Sequence, residues 1–401
     1  MGMRFADRLT PCLFLLKQLV RLGNHSWWLS LLFGLMAIAP AYAESELEMR
    51  VAIEREVSQI KVGSSTSAVI KDGAGQVLAE LPAMAAMNAE TDAGRIIINQ
   101  WQAGLVWVEP TQDGLVWIGD NWYRGRTLLI PDGNGLTAVN YVDLEHYLYS
   151  VVGGEMPTNW HPEALKAQAI AARSYALYRR ETNRSNAFFD VGDTTAWQVY
   201  DGVKEEASST IAAVEATKGQ VLTYGGRIIE AVFHASSGGC TENVENVWTQ
   251  PLPYLRGVPD PYDQGGPWTA MFPAEDLKRR ISGIGNIVRF EAEQINPACG
   301  RILSMRVVGD EGVRILDGDE LRTVLGLRST VFNVEPQMSR IARASSVPAG
   351  PIGFLISGRG YGHGLGMSQW GAYGLAQRGY NYQQIVAYYY TGAALARIEV
   401  Q

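Results

Sequence analysis

Three features of this 401-residue sequence predict an α+β fold. Residues 44 to 140 are divided into short apolar segments by glycine and aspartate, a strongly helix-forming stretch opens near Pro162, and the remainder mixes strand and helix patterns. With 47% of its residues apolar, the chain can bury a sizeable core in one large or two modest domains.

The chain opens with Arg4, Arg8, Lys17 and Arg21, followed by an apolar stretch from Trp27 to Ala39 and then Pro40-Ala41-Tyr42-Ala43. That is the order of a secretory signal: a basic segment, an apolar segment and an A-x-A cleavage site. A membrane-spanning helix needs about 20 apolar residues, more than this run supplies. Residues 1–43 are therefore expected to be a signal peptide, with retention as an anchor the alternative. Export to the periplasm or cell envelope is expected in either case. Loss of this segment moves the formal charge from -7 to about -10. So acidic a chain is a poor nucleic-acid ligand, and no such partner is expected. Cys12 leaves with the signal, so Cys240 and Cys299 either pair in an oxidising compartment or stay as separate buried thiols.

In the β-rich N-terminal region, GRIIINQW, GLVWVEP, GLVWIGD and RTLLIP combine β-branched and aromatic residues with turn signals. Trp107 and Trp117 occupy matching places in two of these segments, which hints at a duplicated hairpin. After Met156-Pro157, Pro162 fits a first helical position and Glu163 the first turn of a helix running to Arg180. Lys166, Ile170, Arg173 and Leu177 share one stripe of it. Arg173 thus sits among apolar neighbours, where its head group is paired, aimed at a ligand or covering a core edge. A second helix is expected over Val203 to Thr217, and then a hairpin in which QVLTY and RIIEAVFHA flank Gly225-Gly226. That outgoing strand delivers His234, Ser236 and Ser237 onto a glycine-rich turn, a common position for functional side chains. Proline-rich residues 251–267 read as a loop, and residues 274–332 as a small mixed subdomain.

Near the C-terminus, GRGYGHGLGMSQWGA alternates glycine with Arg359, Tyr361, His363 and Leu365. If extended, it would project those four side chains to one face. Ser368 is placed to cap a following helix that ends near Gly379. The glycines fit no G-x-G-x-x-G register, and the sequence has neither a G-x-x-x-x-G-K-[ST] phosphate loop nor a G-x-S-x-G elbow. His234 and Cys240 are the only local pair of metal-ligand type, short of the four groups of a closed zinc site. No metal or cofactor is expected.

Four segments, YLYSVVGGEMPTNWHPEALKAQAIAARSYAL, VFHASSGGCTENVENVW, LRTVLGLRSTVF and GRGYGHGLGMSQWGA, occur in this order and together resemble the SpoIID/LytB family of cell-wall proteins. The resemblance spans most of residues 141 to 395. It implies a SpoIID-like mixed core there, with the inserted subdomain at about 274–335. It also implies a lytic transglycosylase acting on peptidoglycan glycan strands or, for the LytB-like branch, an enhancer of a cell-wall amidase. Glu155 matches the family's catalytic glutamate in the E-M-P motif. Such an enzyme protonates the bridging oxygen between N-acetylmuramic acid and N-acetylglucosamine, and the muramyl C6 hydroxyl closes a 1,6-anhydro ring. One carboxyl group suffices, whereas a hydrolase generally uses two. Burial would raise the pKa of Glu155, and the start of the helix near Pro162 would oppose that. Arg173, His234, Ser236, His363 and Gln369 are the candidates for sugar or lactyl contacts. Asp143, Glu145, Glu163 and Asp201 are the candidates for a second carboxylate.

Overall fold

A computed structural model describes residues 47–133, 135–248, 250–338 and 350–398, so the expected signal segment lies outside the described residues. The N-terminal region is β-rich as expected. One sheet has the spatial order Val191–Gly192, Glu48–Val57, Gly135–Asp143, Arg126–Asp132, Val106–Pro110, Ala68–Asp72, Val77–Leu81. A second runs Asn121–Tyr123, Val116–Ile118, Gln59–Ser64, Ala86–Asp92, Arg95–Ile98, Trp101–Ala103. Trp107 and Trp117 fall in different sheets with different neighbours, so the suggested duplicated hairpin is not present.

Seven α-helices occur among the described residues: α1 (Leu144–Glu155), α2 (Pro162–Thr182), α3 (Ser208–Ala216), α4 (Ala274–Arg280), α5 (Gly318–Leu325), α6 (Gln369–Ala376) and α7 (Tyr382–Tyr389). Helix α2 begins with Pro162 at its first position, has Glu163 in its first turn, and is capped by His161, whose Nδ1 accepts the Glu163 N–H at 3.3 Å. The expected second helix is divided into a 3-10 turn (Gly202–Glu205) and α3. Glu206 is extended between them, its carboxylate held by Arg124 at 2.7 and 2.8 Å, and Thr210 starts the helix afresh by accepting the Ala207 N–H at 3.1 Å. The Gly225-Gly226 hairpin forms with positive φ at both glycines. Its outgoing strand does not run on to His234, because Val232 N–H turns back to Glu230 O at 2.9 Å and the Glu230 carboxylate is drawn to Arg179 at 2.6 Å.

One continuous core joins the two N-terminal sheets to α1, α2, α6 and α7, with Val51, Val62, Val108, Leu148, Ile170, Leu375 and Ile385 fully buried in it. A second core, from Trp268 to Ile356, belongs to a mixed subdomain built on the sheet Ile287–Asn296, Arg301–Gly309, Val313–Asp317 with α4 and α5. Two links fasten this subdomain to the turn after His234. Cys240 and Cys299 form a disulfide, and the buried Arg301 guanidinium donates to Ser237 O at 2.6 Å, Cys240 O at 2.8 Å and Thr330 Oγ1 at 2.9 Å. Loop-closure entropy across 59 residues of separation makes that disulfide worth about 4 kcal/mol. Urea denaturation of oxidised protein against the Cys240→Ser/Cys299→Ser variant is expected to show a loss of that size. Coincident curves would mean that Arg301 and its neighbours hold the junction alone.

Candidate active site

Glu155 is the last residue of α1, so VVGGE is helical. A Cβ at Gly153 would lie 1.9 Å from Glu205 O, so only glycine lets the segment 199–205 lie against this end of the helix. That segment supplies the Val199 N–H, which donates to Glu155 Oε1 at 2.9 Å. The other oxygen, Oε2, accepts from Gln369 Nε2 at 3.2 Å. Burial raises the pKa of the Glu155 carboxyl, and its two hydrogen bonds only partly offset that. The helix effect therefore has the opposite sign to the one expected from Pro162. Glu155 ends its own helix, where carbonyl oxygens disfavour a negative charge.

Gln369 arrives at Glu155 through a chain of local contacts. Residues Phe233–His234 and Met367–Ser368 pair in parallel, and Trp370 N–H donates to Ala235 O at 3.0 Å. Ser368 caps α6 as expected, its Oγ accepting the Gly371 N–H at 3.1 Å, and Gln369 is the first residue of the helix. The structure thus brings together two of the six expected site residues, Glu155 and Gln369, from positions 214 residues apart.

The other four are engaged elsewhere. Arg173 is fully buried in a core ion pair: its Nε and Nη2 reach both oxygens of Glu145 at 3.0 and 2.5 Å, and Nη1 donates to Gln220 O at 3.1 Å. Ser236 is also buried, its hydroxyl donating to Asp263 at 2.9 Å while its backbone exchanges hydrogen bonds with Tyr361. His363 has both ring nitrogens committed to backbone, Nε2–H to Phe233 O and Nδ1 from Leu365 N–H, each at 3.0 Å. Packing lowers its pKa to about 4, so it is neutral and leaves no ring nitrogen for a sugar. His234 is buried 5.3 Å from it, ring to ring, with Nδ1–H on Leu365 O at 3.0 Å. Burial holds its pKa well below the usual imidazole value, and Nε2 has no partner. Cys240, weighed with His234 as a metal pair, is bonded to Cys299.

The glycine segment is not extended either. Gly360, Gly362, Gly364 and Gly366 all take positive φ, from +66° to +116°. Tyr361 consequently points to solvent while Leu365 is fully buried, and Gly364 admits the Arg301 guanidinium, which a Cβ would approach to 2.5 Å. The segment packs closely around His234 and Arg301 and is not a ribbon with one face.

The candidate second carboxylates have other partners. Asp143 caps α1 through the Glu145 and His146 N–H groups, and Glu145 holds Arg173. Glu163 binds Lys166 at 2.7 Å and the Tyr382 N–H at 2.8 Å, and Asp201 lies 3.6 Å from Lys204. Two features went unread in the sequence. One is the set of half-buried rings Trp160, Trp370 and Tyr373, carried on the loop after Glu155 and the helix begun by Gln369. Trp160 lies 4.6 Å from Trp370 and stacks on Tyr373 at 4.7 Å. The other is Asp260 and Asp263, which lie in what reads only as a proline-rich loop.

The sequence that builds this α+β architecture, with its glutamate at a helix end and a glutamine from a distant motif, matches a known class. The family model described as stage II sporulation protein, SpoIID, matches residues 132–224, and a domain of unknown function, DUF8618, matches residues 268–366. Stage II sporulation protein D of Bacillus subtilis (strain 168) is 32% identical over 286 residues, covering 65% of this chain and 77% of that protein. The protein of the same name from Bacillus amyloliquefaciens is 32% identical over 65% of this chain and 76% of its own length. An amidase enhancer of Bacillus subtilis (strain 168) is also 32% identical, over 62% of this chain but only 40% of that protein. The chain belongs to the SpoIID family.

Proposed function

We propose that this protein is an exported peptidoglycan lytic transglycosylase of the periplasm or cell envelope, with Glu155 as its only acid catalyst. The observation that carries this reading is the state of Glu155. Its carboxyl is largely buried, its pKa is raised, and an amide N–H and an amide side chain are its hydrogen-bond donors, with no cation beside it among the described residues. Such a group keeps its proton above the pH at which an exposed glutamate loses it, as a general acid requires. With the other candidate carboxylates occupied, the chemistry that fits is one a single group can perform. Glu155 gives its proton to the oxygen bridging N-acetylmuramic acid and N-acetylglucosamine as the C1–O bond breaks. The muramyl C6 hydroxyl then bonds to C1, and its proton returns to the Glu155 carboxylate. The products are an anhydro end and a free 4-hydroxyl, and no water is consumed.

The aromatic rings support a sugar substrate, since flat faces bearing a polar edge suit the apolar face of a hexosamine. Trp370→Ala is expected to raise the KM for glycan strands about five- to ten-fold with little change in kcat. A fall in kcat alone would place the ring outside the binding step. The decisive experiment is mass spectrometry of purified sacculi after incubation with the protein. Anhydro-ended muropeptides are the expected product, and reducing ends would mean hydrolysis instead. Sedimentation with sacculi and stimulation of a cell-wall amidase, with no fragments of its own, would replace the enzyme by the role that the amidase enhancer's name describes.

A further inference from the structure

We propose that Asp263 is a positioning residue for Glu155, acting through Ser368 and Gln369. This deepens the reading of Glu155 as the acid and rests on it. The Asp263 carboxylate gathers three separate pieces of chain. Oδ1 accepts from Ser236 Oγ at 2.9 Å and from Gly265 N–H at 2.7 Å. Oδ2 accepts from Ser237 N–H, from Ser237 Oγ at 2.8 Å, from Gly238 N–H at 3.2 Å and from Ser368 Oγ at 3.1 Å.

The contact with Ser368 gives this cluster a consequence at Glu155. A serine hydroxyl has one proton and two lone pairs. Here the proton is on Asp263, and the oxygen accepts Gly371 N–H at 3.1 Å and Ser237 N–H at 3.3 Å. Every hydrogen-bonding capacity of the cap is therefore used, and its direction is set by the carboxylate. The next residue, Gln369, bears the amide that meets Glu155 Oε2. Asp263 is itself held by a fixed loop: Asp260 N–H donates to Gly239 O at 2.8 Å, and the Asp260 carboxylate accepts from Tyr389 OH at 3.0 Å. Without an acceptor at position 263, the Ser368 hydroxyl is free to turn, the first turn of α6 loses its fixed start, and the Gln369 amide leaves Glu155. A carboxylate for which several buried N–H and O–H donors compete also explains why this site takes an acid rather than an amide.

The test reads the titration of Glu155 directly, by carbon-13 NMR of glutamate carboxyls, with the signal assigned by its loss in Glu155→Gln. The Gln369 amide stabilises the ionised carboxylate, so Gln369→Ala is expected to move the titration to higher pH. Asp263→Ala, which removes the acceptor, and Ser368→Ala are expected to move it in the same direction. Combining either with Gln369→Ala should give no further shift, because all three act through one contact. In wall digestion the single variants should lose kcat, by up to about a hundred-fold, with KM retained. Lower melting temperatures with Glu155 titrating at its wild-type position would overturn the proposal and leave Asp263 a structural hub. So would shifts that add to that of Gln369→Ala. The NMR readout does not depend on enzymatic activity. A wild-type protein that releases no fragments but shows the coupled shifts would refute the enzyme reading and keep the relay.

Discussion

Glu155→Gln is expected to release no measurable anhydro muropeptides while folding normally and still sedimenting with sacculi. Glutamine matches glutamate in size and can still accept the Val199 N–H, but it cannot give a proton to a leaving oxygen. Loss of a general acid typically costs about 10² to 10⁴ in rate, enough to take a slow wall-degrading reaction below detection. The pH dependence has a definite sign. The protonated form is the active one and burial raises its pKa, so activity should persist above the pH at which an ordinary glutamate ionises and fall as pH rises through the displaced value. Stability follows the same linkage. A carboxyl whose folded pKa lies above its unfolded value contributes to folding below the unfolded pKa, and that contribution is lost as pH rises through the folded one. Above the unfolded pKa the raised folded pKa of the wild-type carboxyl lowers stability, a cost that glutamine does not have. The melting temperature of Glu155→Gln at pH 7 should therefore equal or exceed that of the wild type. A variant that melts well below it, or that still makes anhydro ends, would remove Glu155 from the role of acid.

What could be read from the sequence depended on whether a feature is set locally. The N-terminal strands and the start of α2 are local, governed by residue type, turn signals and Pro162, and both appear as expected. Gly153-Gly154 is a pair of poor helix formers, yet the helix continues through it. The reason is the absence of side chains, which admits the segment bearing the Val199 N–H, a contact with no trace in the nearby sequence. The alternating glycines of the last motif likewise read as an extended ribbon until the chain segments around them, Arg301 and Val232 among them, require positive φ. Glu155 and Gln369 were legible only as members of motifs in a fixed order, and their meeting is a product of the fold. Asp263 had no legible signal at all, since its hydrogen-bond donors come from residues 236–238, 265 and 368.

Arg173 lies among the apolar neighbours that its helix stripe predicts, and its guanidinium is paired. Of the roles open to an arginine between Ile170 and Leu177 on one helix stripe, the structure shows the paired one, with Glu145 as the partner. The two roles predict different outcomes for Arg173→Leu. A ligand-binding arginine could be lost with little effect on folding. This one lies against a buried carboxylate whose Oε1 also accepts the Gly219 N–H at 3.1 Å, so its removal leaves a negative charge in the core without its cation. Breaking a buried pair from one side typically costs about 3–5 kcal/mol, and urea denaturation should show a loss in that range. Glu145→Leu should cost a similar amount, whereas the double variant should be far less destabilised than the sum of the two, because no charge is then stranded. Per folded molecule, the KM for glycan strands should remain at the wild-type value in Arg173→Leu. A raised KM in a variant of undiminished stability would return Arg173 to the substrate.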